Sequence, residues 1–136
     1  MPWDKSVDFL VVGSGAAGMA GAIRAHDLGA ETLVVEKAPH YGGTTALSGG
    51  VVWVPNNPLM KELGLKDSPE EALQYLETIT AGTSTTERLR AYVDVAPRMM
   101  SYMHEKTHLR FECLADYPDY YPELAGGKTG GRSCEP

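Results

Sequence analysis

Apolar residues cluster along the chain in runs of changing period. From Val7 to Val12 only Asp8 interrupts them, the pattern of a strand buried on both faces of a parallel sheet. Small residues then recur (Ala16, Ala17, Ala20, Gly21, Ala22) as far as Leu28. They predict a helix over 16–28 that packs closely on a strand, with Gly29 as its left-handed stop. Thr32 to Val35 reads as a second strand. Ser68-Pro-Glu-Glu71 combines a capping hydroxyl, a first-turn proline and a capping-box acid. Ala72, Leu73, Leu76 and Ile79 supply the apolar face of that helix, and Gly82 ends it. Ser84-Thr-Thr-Glu87 repeats the capping pattern, and Leu89, Val93, Ala96, Met100 and Met103 carry a helical stripe in which Pro97 predicts a kink or a split. Leu109 to Leu114 is a candidate third strand for the first sheet.

The turn between the first strand and the first helix reads Gly13-Ser-Gly-Ala-Ala-Gly18. This spacing suits a dinucleotide. Gly13 turns the chain tightly, Gly15 lets a pyrophosphate approach the main chain, and Gly18 lets the helix lie close to the sheet. The helix N–H groups and dipole then face the phosphates. Glu36 ends the second strand about twenty residues beyond the glycines, where a carboxylate accepts hydrogen bonds from an adenosine ribose. An acid there disfavours a 2′-phosphate; FAD and NAD both satisfy this motif.

Residues 42–50 hold four glycines, two threonines and a serine. A backbone this bare predicts an extended loop lying along a flat cofactor, its N–H groups and hydroxyls turned to pyrophosphate, ribityl chain and isoalloxazine edge. The plainer alternative is a surface loop of turn residues. Trp53 and the valines around it read as packing residues, and His40 and Tyr41 as loop structure. Tyr117-Pro-Asp-Tyr-Tyr-Pro-Glu123 is a stiff loop able to hold phenols in fixed directions. A phenol, with a pKa near 10, donates to a ketone oxygen or relays a proton; aromatic loop packing is the bland alternative.

With 136 residues the chain makes one modest domain, and its net charge of −6 leaves no basic patch for nucleic acid. Arg88 and Arg90 read as a solvated pair, His104 and His108 as surface residues near a helix end, and the methionines as core filler. No apolar run approaches the roughly 20 residues of a membrane-spanning helix, and Met1 to Ser6 lack a signal-peptide pattern. Cys113 and Cys134 have neither C-x-x-C spacing nor a histidine partner, so no metal site is expected and the thiols read as reduced and cytoplasmic. The glycine-rich tail 126–136 stops with no element to end, as in an N-terminal fragment.

Gly13-Ser-Gly-Ala-Ala-Gly18, Val35-Glu-Lys37, Gly42-Gly-Thr-Thr45, Ser48-Gly-Gly50 and Trp53-Val-Pro55 together resemble the N-terminal FAD-binding part of the fumarate reductase/succinate dehydrogenase-type flavoproteins. Within that superfamily the chain is most similar to the 3-ketosteroid Δ1-dehydrogenases, whose Gly-Gly-Thr-Thr form it shares. The resemblance implies an α/β fold: an incomplete, Rossmann-like βαβ FAD-binding domain with a helical insertion. Residues 1–55 would form the dinucleotide-binding βαβ and flavin loop, 56–108 a helical segment, and 109–136 a strand and substrate-side loop, with the substrate domain absent. It implies FAD held by Gly13, Ser14, Gly15, Ala16, Ala17, Gly18, Glu36, Lys37, Gly43, Thr44, Thr45, Ser48, Gly49 and Gly50. It implies a 3-ketosteroid substrate that loses a proton and a hydride beside its ketone, the hydride going to flavin N5, and an external electron acceptor. The family's Pro-Asp-Tyr loop falls on Tyr120, whose counterpart lines the active site and supports a second tyrosine further along the chain; Tyr117 and Tyr121 are weaker candidates for substrate contact. Two alternatives are a fumarate reductase-like enzyme, whose cationic clamps for a small unsaturated acid would lie beyond residue 136, and a non-catalytic FAD-binding fragment.

Overall fold

Phe9–Val12 forms strand β1 and Thr32–Val35 forms β2, paired in parallel with Val12 opposite Val35. Helix α1, Ala16–Asp27, connects them. This is the predicted βαβ unit, ending as expected at Gly29, whose φ of +89° suits glycine. In this computed structural model residues 3–136 are described. They divide into two compact units, Met1–Gly50 and Val51–Pro136. Within the first unit α1 covers one face of the sheet, burying Val11 and Ala22, while Leu10 and Val12 stay exposed. The predicted burial of β1 on both faces is therefore not realised: two strands and one helix make only two layers.

The 42–50 segment departs from the extended loop expected. Gly43–Leu47 winds into a 3-10 turn after Gly42, which takes φ +103°. Gly43 follows at φ +55°, and two consecutive left-handed glycines curl the chain instead of extending it.

In the second unit Val52–Trp53 (β3), Glu112–Cys113 (β4) and Ser133–Glu135 (β5) form an antiparallel sheet in the order β3-β5-β4. Two expectations are corrected here. The candidate third strand near 109–114 pairs not with β1 or β2 but with β5, and the glycine-rich tail ends in the central strand of this sheet. The tail's backbone is satisfied by strands far away in sequence, a pairing that local composition does not encode.

Helix α2, Pro58–Glu62, is capped by Asn57, which accepts from the Met60 N–H at 2.9 Å and donates to the Val54 and Gly131 carbonyls. Helix α3, Pro69–Thr80, starts as predicted: the Ser68 hydroxyl accepts from the Glu71 N–H at 3.2 Å. Its buried residues are Ala72 and Tyr75, whereas Ile79 is exposed. The left-handed C-cap is Ala81, one residue before the predicted Gly82.

Helix α4, Thr86–Lys106, is capped by Thr85 and continues as one helix through Pro97, so the predicted split does not occur. The proline removes one helical donor, and Leu89, Val93, Ala96 and Met100, on both sides of it, are buried. Val54, Ala96, Met100, Phe111 and Cys134 form the core.

A buried ion cluster ties this unit together. Arg132 Nε and Nη2 donate to the two Asp67 carboxylate oxygens at 2.9 and 2.6 Å, and Nη1 donates to Asp119 at 2.9 Å. All three side chains are almost fully buried. The guanidinium carbon lies 5.4 Å from the Trp53 ring centroid and 5.7 Å from that of Tyr75, within cation–π range. Burial pushes the Asp67 carboxyl up, but the hydrogen bonds and charge of Arg132 outweigh it and hold Asp67 below the usual carboxylate range. Its contribution to stability is present above the unfolded carboxylate pKa and is lost as pH falls through the lower folded value.

Breaking such a buried pair from one side leaves an uncompensated charge. Asp67→Ala should lower the unfolding free energy of the second unit by about 3–5 kcal/mol, read from Trp53 fluorescence in a urea titration. A loss under about 1 kcal/mol, the range of exposed ion pairs, would contradict the burial.

Candidate functional site

The first unit gathers its candidate residues around the glycine turn. Gly13 leaves β1 at φ +101°. A Cβ on Gly18 would stand 2.3 Å from the Gly13 carbonyl oxygen and 3.1 Å from a Val11 methyl, so only glycine lets α1 lie this close to β1. A Cβ on Gly15 would meet nothing within 4 Å. That open space lies beside the backbone at the α1 N-terminus.

Glu36 follows β2 and locks this turn. One carboxylate oxygen accepts from the Ser14 N–H at 2.9 Å and the Ser14 hydroxyl at 2.5 Å; the other accepts from the Ala38 N–H at 2.9 Å. The Ser14 hydroxyl also accepts from the Gly42 N–H at 2.9 Å, and Thr45 Oγ1 accepts from the Ala16 N–H at 3.2 Å. A Cβ on Gly43 would come 3.6 Å from the Gly15 Cα. The two glycine clusters are therefore in contact. Hydrogen bonds from the Ala38 N–H and from the Ser14 side chain and N–H pull the Glu36 pKa down from 4.5 to about 2.

Gly13, Ser14, Gly15, Ala16, Ala17, Gly18, Glu36, Gly43 and Thr45 thus share one neighbourhood. Lys37 and Thr44 are exposed. Ser48 turns its hydroxyl to its own loop, accepting from the Gly50 N–H at 3.0 Å, and Gly49 has open space around it.

The fold fits a dinucleotide in kind: a bare glycine turn under a helix start, and beside it a carboxylate. Glu36 uses three of its roughly four acceptor positions within the chain, which leaves capacity for one ribose hydroxyl.

The second unit carries an open apolar groove of about 240 Å³, with Val51, Trp53, Tyr75, Leu76, Ile79, Tyr117 and Tyr120 in its lining. Complete small-molecule sites run to roughly 300–1,000 Å³, so this groove is smaller than a complete site. The 117–123 loop contributes Tyr120 to the groove lining, a residue 87% exposed. Tyr117 and Tyr121 are half exposed.

The floor of the groove comes from residues to which the sequence reading gave no role in the site. Asp119 accepts from the Trp53 indole N–H at 2.6 Å and from the Lys128 N–H at 2.9 Å. Tyr92 donates its hydroxyl to the Trp53 carbonyl and stacks on its ring at 6.2 Å. Tyr75 accepts from the Tyr121 N–H at 3.2 Å. Burial pushes the Tyr75 and Tyr92 phenols above their ordinary range, so both act as neutral packing and hydrogen-bonding groups. The sequence signals for this cluster were the Pro-Asp-Tyr motif, which contains Asp119, and Trp53-Val-Pro55; nothing local marks Arg132 or Asp67.

Residues 8–135 match the FAD binding domain family. The chain belongs to that family. FAD is its cofactor, as the paired glycine clusters implied. Over 132 residues it is 52% identical to 3-oxosteroid 1-dehydrogenase of Mycobacterium tuberculosis (strain ATCC 25618 / H37Rv), which covers 97% of this chain and 23% of that protein. The crystal structure of 3-ketosteroid Δ1-dehydrogenase from Sterolibacterium denitrificans in complex with 1,4-androstadiene-3,17-dione superposes with a TM-score of 0.88 at 50% identity, over 94% of this chain and 22% of that one. A flavocytochrome c3 fumarate reductase, at 19% identity and a TM-score of 0.74 over 97% of this chain and 21% of its own, shares the fold alone. This FAD-binding chain thus spans about a quarter of the length of the curated relatives it matches. Among the described residues no helix is long and apolar enough to cross a membrane, and no group of side chains could hold a metal ion.

The depressed Glu36 carboxyl gives a direct test of the turn. Its folded pKa lies below its unfolded one, so its stabilisation is present above about pH 4.5 and is lost as pH falls towards 2. The Ser14 and Ala38 amide resonances should titrate with a midpoint well below 4.5, and Glu36→Gln should abolish the shift. A midpoint at the ordinary value would place the carboxylate away from those amides.

Proposed function

We propose that this chain is the N-terminal part of the FAD-binding domain of a 3-oxosteroid 1-dehydrogenase-like enzyme, which removes a proton and a hydride beside a ketone of a steroid-like substrate. One observation favours a steroid over a small acid. The groove lining is mainly apolar and aromatic, with Asp119 and Ser133 as its polar members. A flat hydrocarbon ring system matches the faces of Trp53, Tyr117 and Tyr120.

In this reading Gly13, Gly15 and Gly18 hold the pyrophosphate, with Ser14, Ala16 and Ala17 as their backbone neighbours, and Glu36 takes the adenosine ribose beside Lys37. Gly43, Thr44, Thr45, Ser48, Gly49 and Gly50 run along the phosphate, ribityl and flavin portions. Bound FAD supplies the hydride acceptor at N5. Tyr120 is the catalytic phenol of this segment: it makes no hydrogen bond among the described residues and so is available to a substrate or to a neighbouring phenol. Turnover then calls for an external electron acceptor. A cytoplasmic setting is supported by the two free thiols.

The test is a chimera in which this chain replaces the matching segment of the M. tuberculosis relative. It should retain flavin absorbance and dehydrogenate a 3-ketosteroid. Tyr120→Phe in the chimera should lower kcat by about 100-fold or more with flavin content unchanged. Wild-type turnover by that variant would remove Tyr120 from the chemistry; turnover of fumarate with a reduced dye, and none of a ketosteroid, would replace the steroid reading.

A further inference from the structure

Cys113 and Cys134 lie opposite each other on neighbouring antiparallel strands. The next rung fixes which kind of pair they form. Leu114 N–H donates to the Ser133 carbonyl at 2.9 Å. Hydrogen-bonded and non-hydrogen-bonded pairs alternate along such a ladder, so the cysteines occupy the non-hydrogen-bonded position, where Cα atoms stand about 4.5 Å apart and side chains are closest. Directly opposed residues also project to the same face. That spacing lies within the range of about 4.4–6.8 Å that a disulfide spans. Cys134 is fully buried in the core beside Val54 and Met100, while Cys113 is partly exposed and donates to the Gly131 carbonyl at 3.3 Å. One sulfur is thus open to a reagent, and the other lies behind it.

We propose that Cys113 and Cys134 form a cross-strand dithiol, a modification site that small disulfides convert to an intrachain disulfide. The Cys113 thiolate attacks one sulfur of a reagent RSSR, giving a mixed disulfide and expelling RS⁻. The Cys134 thiolate then attacks the Cys113 sulfur and expels the second RS⁻, which takes up a proton as the first did. Two protein thiols and RSSR become one protein disulfide and two RSH: the protein loses two electrons and the reagent gains them. Burial pushes both thiols up, Cys134 to about 12, which makes the first attack slow; their directly opposed positions on β4 and β5 make the second intramolecular.

The bridge would close the neck of the loop 114–133. That loop carries Tyr117, Asp119 and Tyr120, so the modification would fix the base of the groove wall. The inference rests on the β4–β5 register alone and is independent of the flavin and steroid assignments.

The test treats the native chain with excess 4,4′-dithiodipyridine. Two thiopyridones should be released per chain, with no reagent retained and a mass lower by two hydrogens. Cys134→Ser should release one thiopyridone and keep a reducible adduct on Cys113. The wild-type chain unfolded in concentrated urea should instead retain adducts on both cysteines. Retention of reagent by the native wild type, the same product from native and unfolded chains, or a Cys134→Ser variant that takes up no reagent would each overturn the proposal.

Discussion

The second unit depends on the burial of one guanidinium. Removing a charge from water costs several kcal/mol even after relaxation, and only close partners with further hydrogen bonds offset that cost. Arg132 meets the condition by engaging two aspartates and two aromatic faces. The carboxylates outnumber the cation, and other donors take up the excess: the Asn56 and Ser68 N–H groups at Asp67, the Trp53 indole and the Lys128 N–H at Asp119. No buried side-chain polar atom lacks a partner among the described residues. Because the cluster draws on the turn before α2, the start of α3, the tyrosine loop and the approach to β5, each of these segments is held where the charges require it.

That arrangement explains why the groove wall combines apolar faces with a rigid polar base. Asp119 stands next to Tyr120 in sequence, yet the two have opposite environments: the aspartate is buried and fully bonded, the tyrosine exposed. Anchoring Asp119 in a charge network fixes the backbone from which Tyr120 projects.

The first unit follows a different rule. Its site is made of backbone, and the limiting factor is the absence of Cβ atoms. Gly18 brings the helix onto the strand, and the side chains that matter, Ser14, Glu36 and Thr45, serve mainly to hold one backbone segment against another. A carboxylate that accepts three hydrogen bonds from Ser14 and Ala38 holds the turn in place.

The sequence by itself determined what short-range geometry dictates. The βαβ unit, the glycine turn, the acid after β2, the capped starts of α3 and α4 and the buried stripe of α4 were legible, because period, caps and glycine spacing act within a few residues. Only the tertiary structure decided the rest. The strand near Cys113 and the glycine-rich tail found partners in each other and in β3, α4 continued as one helix through Pro97, and Gly42 and Gly43 curled a loop that composition alone leaves extended. Arg132, Asp67 and Asp119 are ordinary charged residues in sequence. They become a buried cluster only when segments 13 to 65 residues apart converge, since the desolvation that gives a charge its structural weight is a property of the folded surroundings.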